Sequence, residues 1–134
     1  MNAVPDAQHT FTPGDEIYVS STSPLGSVAT VFEDDGDTGY FYAVERGGEP
    51  DIRILDAVQI YVARNVIDRD EPSELVIIWS ADGLKSALLI NDYPHAVFDF
   101  AAKRGYCRTG FPAPSSHWPA AGYEWSDSVM ELFA

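Results

Sequence analysis

The sequence predicts an α+β domain: a largely antiparallel β-sheet with one main α-helix, over about residues 93–104, packed on it, and a short C-terminal helix. Three observations predict it. Residues 74–91, ELVIIWSADGLKSALLIN, are two β-type runs that meet at Asp82-Gly83, a hairpin signal because glycine tolerates the positive φ of tight turns. Residues 28–45 repeat the pattern, with β-branched and aromatic runs on either side of an acidic loop that contains Gly36. In NDYPHAVFDFAAKRG, at 91–105, the helix start and stop signals fall in order. Asn91 or Asp92 can cap the first amides and Pro94 suits a first turn. Lys103 and Arg104 complement the C-terminal dipole, and Gly105 is placed to end the helix. Strands followed late by one good helix read as α+β.

Taken in order, residues 1–14 are a polar lead-in that ends at the turn-like Pro13-Gly14, and the chain is expected to form one compact domain over 1–134. EIYVSS (16–21) and GSVATVF (26–32) are short β-type runs. TGYFYAVE (38–45) places Tyr40, Tyr42 and Val44 on one face of a strand and Phe41 and Ala43 on the other. DIRILDAVQIYVARNVI (51–67) fits both periods. Ile54, Leu55, Val58, Tyr61 and Val62 share a helical face, while Val58, Ile60 and Val62 alternate as in a strand. Its β-branched content, and a start with no cap apart from Asp51, favour a long, bulged strand. In LVIIW (75–79) both faces are apolar, as in a central strand buried on two sides. Residues 106–125 are rich in Pro, Ser and Gly and form an irregular strap, in which Phe111, Trp118, Tyr123 and Trp125 crowd together. In SDSVMELFA, Val129, Leu132 and Phe133 are placed to dock a short terminal helix.

With 46% hydrophobic and 13% aromatic residues in 134, the chain has ample material for a core without a disulfide or a metal staple. The lone Cys107 cannot form an internal bridge, which favours a reducing compartment. The N-terminal MNAVPDAQHT has neither the basic start nor the apolar run of a signal peptide, and the longest apolar run is only of strand length. A cytoplasmic protein is expected. The charge is lopsided: 21 Asp and Glu against 8 Lys and Arg give a formal net charge of −13. No Lys or Arg precedes Arg46 and none follows Arg108. This balance excludes nucleic acid and anionic membrane as partners, because phosphate would be repelled, and it suits a basic protein.

The acidic loop FEDDGDTGYFYA, at 32–43, is the first candidate site. It fails as an EF-hand: with Gly36 at the sixth loop position, Val31 falls first and Tyr42 twelfth, and neither carries a carboxylate. It reads as a hairpin tip whose Asp side chains bond nearby amides, and which also offers acidic contacts to a cationic partner. Asp34, Asp35 and Asp37 are the candidate steering charges, with Tyr40 and Trp118 as candidate anchors. Catalysis finds little support. Cys107 with His95 or His117 as base and Asp99 as orienter lacks any recognised spacing, and no G-x-S-x-G occurs. His9, His95 and His117 lack metal-ligand spacing, and no phosphate-binding glycine motif is present, so neither a metal nor a cofactor is expected. Either the strap's aromatics pin it to the sheet, or they line a ligand pocket with Arg108, His117 and Trp118.

FEDDGDTGYFYA, WSADGLKSALLIN with the following YPHAVFDF, and YCRTGFP together resemble a bacterial family catalogued as domain of unknown function 2251, over about residues 28–125. The resemblance implies a compact α+β bacterial protein and supplies no catalytic residues. Small acidic proteins of this type are also similar, as a class, to immunity proteins that neutralise toxins. The expected function is a non-enzymatic interaction domain, an inhibitor or immunity-type protein that binds a cationic protein. The alternative is a small-molecule binder or enzyme with its pocket between the sheet and the 106–125 segment. The sequence does not set the oligomeric state.

Overall fold

The computed structural model describes residues 4–46, 52–66, 70–107, 129–130 and 133. Nine strands account for most of these: β1 (Val4–Phe11), β2 (Ile17–Thr22), β3 (Val28–Asp34), β4 (Thr38–Arg46), β5 (Ile52–Val62), β6 (Ser73–Trp79), β7 (Lys85–Ile90), β8 (Tyr93–Asp99) and β9 (Arg104–Cys107). They form a five-stranded sheet in the order β1-β6-β7-β8-β9 and a four-stranded sheet in the order β2-β3-β4-β5. Every pairing is antiparallel.

The inward faces of both sheets meet in one core. Phe11, Leu75, Ile77, Leu88, Ala96 and Phe98 from the larger sheet pack with Phe32, Phe41, Ala43, Val58 and Ile60 from the smaller. Phe41 stacks on Phe98 across the layers with ring centroids 5.2 Å apart. This is a β-sandwich. Buried hydrogen bonds join the layers as well: Trp79 Nε1 donates to Ser21 Oγ at 2.8 Å, and Thr30 Oγ1 lies 2.9 Å from Ser86 Oγ. A second cluster lies on the outer face of the five-stranded sheet, where Val129 and Phe133 cover Ile78, Ala87 and Val97.

The fold class is therefore corrected from α+β to nearly all β. The segment expected as a helix over 93–104 is instead the β8–β9 hairpin. Asn91 and Asp92, expected as caps, carry φ of 53° and 65°. They are the two central residues of a tight turn between Ile90 and Tyr93, which pair directly, and two successive positive φ values define the hairpin-favouring type I′ geometry. Asn and Asp suit helix caps and left-handed turns for the same reason, a short polar side chain that bonds local backbone. Ala96, Val97 and Phe98 are all buried, because β8 is covered on both faces, and such a run carries no period that separates strand from helix. Pro94 lies beyond the end of β9, whose pairing with β8 starts at Ala96, so it removes no ladder bond on that side. At the C-terminus, Val129, Met130 and Phe133 take 3-10 geometry.

The polar lead-in is corrected too. Val4–Phe11 is an edge strand paired with β6, with Ala7 and Phe11 turned to the core and His9 exposed. Residues 52–62 form a strand, and its pairing with β4 shifts register twice, as a bulged strand requires. The hairpins at Gly36 and at Asp82-Gly83 form as expected, with positive φ at both glycines. Tyr106 and Cys107 of the expected strap belong to β9; Arg108, His117 and Trp118 lie outside the described residues.

The turn geometry gives a direct test of the corrected hairpin. Asp92→Gly creates the Asn-Gly pair that type I′ turns favour, so the variant should gain about 0.5–1 kcal/mol of stability in urea unfolding. If Asp92 were a helix cap, the same change would leave stability level or lower it.

Candidate functional site

The topology sorts the loops onto two ends. The β1–β2 turn, the β3–β4 hairpin tip, the 3-10 turn at Ala63–Asn65 with the approach to β6, and the β7–β8 turn all lie at one end. The loops around residues 23–27, 80–84 and 100–103 lie at the other.

Asp34 organises the first end. It closes β3, is 1% exposed, and accepts three hydrogen bonds. Oδ2 takes the Gly14 amide at 2.6 Å and the Tyr61 hydroxyl at 2.5 Å, and Oδ1 takes the Gly36 amide at 2.8 Å. One carboxylate thus ties the β1–β2 turn, the hairpin tip and the end of β5 together. Gly39 lets Tyr61 reach it: a Cβ at Gly39 would sit 2.7–3.0 Å from the Tyr61 ring. The ring also stacks on Phe11 and tilts against Phe32. The Ala63 amide bonds the Asp37 carbonyl at 2.7 Å and holds the 3-10 turn on the tip.

The three acidic candidates separate accordingly. Asp34 is removed from any docking surface by its burial, whereas Asp35 and Asp37 are exposed. Asp35 Oδ1 accepts the amides of Asp37 and Thr38, both at 2.9 Å, and the Thr38 and Asp37 amides hold its carboxyl below the usual aspartate range. Tyr40 is half-buried on the outer face of the four-stranded sheet, next to the tip. Of the catalytic candidates, Cys107 lies close to His95 along the ladder, because it pairs with the adjacent Ala96, whereas Asp99 is set apart from both and His117 lies outside the described residues. Cys107 is fully buried in the core. Asp99 lies at the opposite end of β8 from His95 and binds the Ala102 amide.

Around Asp35 and Asp37 the other loops add carboxylates that a search for one local motif misses. Asp15 and Glu16 come from the β1–β2 turn, Asp70 and Glu71 from the approach to β6, and Asp92 from the β7–β8 turn; all are exposed. Arg64 is the one Lys or Arg among the described residues at this end. Lys85, Lys103 and Arg104 fall toward the other. The signal available in the sequence was positional, since each of these acids flanks a strand boundary. Two clefts of about 330 Å³ each open here. The first, lined by Asp15, Asp37, Arg64 and Asp70, is polar. The second, lined by Phe11, Tyr61, Ile90, Tyr93 and His95, is mainly apolar. Among the described residues, no group of three or more His, Cys, Asp or Glu could hold a metal ion. No helix among them is long and apolar enough to cross a membrane.

Two tyrosines next to the carboxylates have a consequence for alkaline pH. Burial, then the hydrogen bond to Asp34, pushes the Tyr61 hydroxyl well above the ordinary phenol range. Burial and Glu33 do the same to Tyr42. A group whose pKa is raised by folding stabilises fully below its unfolded value, near 10, and loses that contribution as pH rises toward the folded value. Stability should therefore fall above about pH 10, by no more than about 1.4 kcal/mol per pH unit for each tyrosine and by less for rings partly in solvent. Thermal unfolding between about pH 9 and 11.5 checks this. Tyr61→Phe should flatten the slope, and equal slopes would contradict it.

A two-sheet antiparallel sandwich with an acidic end and a buried aspartate hub is the class of protein that the geometry defines. The chain belongs to the family described as an uncharacterized protein conserved in bacteria (DUF2251), whose model matches residues 11–134. It is also 38% identical over 113 residues to an uncharacterized protein of Haemophilus influenzae, covering 78% of this chain and 68% of that one. No solved structure matches it.

Proposed function

We propose that the protein is a non-enzymatic interaction domain whose acidic end docks a cationic protein, in the manner of an inhibitor or immunity protein. The observation that carries this reading is the gathering of exposed carboxylates from the separate loops onto one end, while Lys85, Lys103 and Arg104 lie toward the other. Such a charge separation orients an approaching basic surface and raises its association rate. The same separation disfavours nucleic acid and anionic membrane. The buried, unbridged Cys107 suits a cytoplasmic setting.

The test uses the whole protein as bait in lysate of its host, at low and moderate salt. A bait with Asp15→Asn, Asp35→Asn and Asp37→Asn serves as control, because asparagine oxygens can still accept the turn amides. The expected result is one basic protein held near stoichiometry by the native bait, released by salt and lost with the variant. Equal retention by both baits would overturn the reading. The apolar cleft at Phe11, Tyr61, Tyr93 and His95 supports a second reading, a small-molecule binder. Capture of nothing, together with thermal stabilisation by a metabolite, would favour that one.

A further inference from the structure

On the outer face of the four-stranded sheet, beside the acidic tip, one carboxylate is surrounded by tyrosines. Glu33 of β3 pairs with Tyr18 of β2 on one side and with Tyr40 of β4 on the other. Residues directly opposite in antiparallel strands project to the same face, with Cβ atoms about 5 Å apart. Tyr42, two residues along β4 from Tyr40, shares that face and donates its hydroxyl to Glu33 Oε1 at 3.0 Å. The Tyr40 and Tyr42 rings are 6.0 Å apart and tilted by 31°. Tyr18 is 61% exposed, and Glu33, Tyr40 and Tyr42 are half-buried, so the group opens to solvent. Tyr42 is the one hydrogen-bond partner of the Glu33 carboxylate among the described residues.

We infer that Tyr18, Glu33, Tyr40 and Tyr42 form the seat for an arginine side chain of the cationic partner. This deepens the reading of the acidic end as a docking surface and rests on it. The chemistry is complementary. A planar guanidinium stacks on tyrosine faces while its N–H fork meets a carboxylate oxygen. Tyrosine also supplies large, rigid contact area at low entropy cost, which suits an interface anchor. The hydrogen bond from Tyr42 holds Glu33 among the rings, so the seat is arranged before the partner arrives. A lysine ammonium, compact and strongly hydrated, would gain less from the rings.

The test is an NMR titration of the full chain, ring-labelled at tyrosine. The probes are acetyl-Gly-Arg-Gly-amide, its lysine counterpart and its citrulline counterpart, a neutral near-isostere of arginine. The arginine peptide should shift the Tyr18, Tyr40 and Tyr42 rings saturably. The lysine peptide should bind on the order of tenfold more weakly, and the citrulline peptide should not bind. Glu33→Gln should abolish the ring shifts. Tyr18→Ala, on an exposed edge position that leaves the core untouched, should weaken them severalfold. If arginine and lysine peptides instead move the Asp35 and Asp37 amides equally and leave the rings still, the seat is overturned and the acidic docking end stands. If no peptide shifts any resonance, the seat is overturned as well, and the docking end is then judged by the capture experiment alone.

Discussion

Asp34→Ala is expected to destabilise the protein by about 3–4 kcal/mol, a loss on the scale of truncating a core aromatic. The reason is the number of groups left behind. The amides of Gly14 and Gly36 and the Tyr61 hydroxyl all point at this carboxylate, and each loses its acceptor in a site that is 1% exposed. A buried donor without a partner costs about 1–3 kcal/mol. Asp34→Asn should cost less than Ala but remain clearly destabilising. One oxygen survives, and either orientation of the amide sets an NH₂ group against at least one donor. Urea unfolding of both variants checks the order, with the slope expected to stay constant. If Asp34→Ala fell within about 0.5 kcal/mol of the native protein, as surface changes do, Asp34 would not be the tie between the three loops.

Gly39→Ala is the second large effect, at about 2–3 kcal/mol. The new Cβ would lie 2.7 Å from Tyr61 Cζ and 2.8 Å from Cε2, inside van der Waals contact. The ring cannot swing away freely, because its hydroxyl is bonded to Asp34 and its faces meet Phe11 and Phe32. Relief at Gly39 must come at the expense of the hub. The signature is therefore coupling: in a Tyr61→Ala background, Gly39→Ala should cost less than about 1 kcal/mol, since nothing remains to clash. Additive costs in the double variant would show that Gly39 acts through backbone preference instead.

Much of the sheet was legible in the sequence, and the reasons are local. Gly36 and the Asp82-Gly83 pair mark turns that need positive φ, and both take it. Tyr40 and Tyr42 alternate with Phe41 and Ala43, so a strand with one outer face could be read directly. The errors share a physical origin. Asn91-Asp92 carries polar atoms that serve a helix cap and a left-handed turn equally, and β8 is buried on both faces, which erases its period. β1 reads as polar because an edge strand with a solvated face has few apolar residues, and Phe11 alone on it is deeply buried among the described side chains.

The candidate site was legible in charge and not in depth. Asp34, Asp35 and Asp37 are alike in sequence, yet only the register that brings Gly14 and Tyr61 to Asp34 sinks that one carboxylate. Glu33 stands out in the acidic loop, but its tyrosine surroundings do not. Tyr18 pairs with Glu33 and Glu33 with Tyr40 across strands, which no spacing along the chain encodes. The acidic end itself assembles from segments between residues 15 and 92, so it exists as a surface only once the two sheets are closed on each other.

The most direct measurement is the rate of association between the native protein and its captured basic partner as ionic strength rises. Exposed charges are screened beyond about 8 Å at physiological salt, so steering by the acidic end predicts an on-rate that falls at least tenfold between about 20 and 300 mM salt. The dissociation rate should change far less, and the Asp15→Asn, Asp35→Asn, Asp37→Asn variant should associate slowly at every salt concentration. An on-rate flat with salt and the same for both proteins would contradict docking through the acidic end.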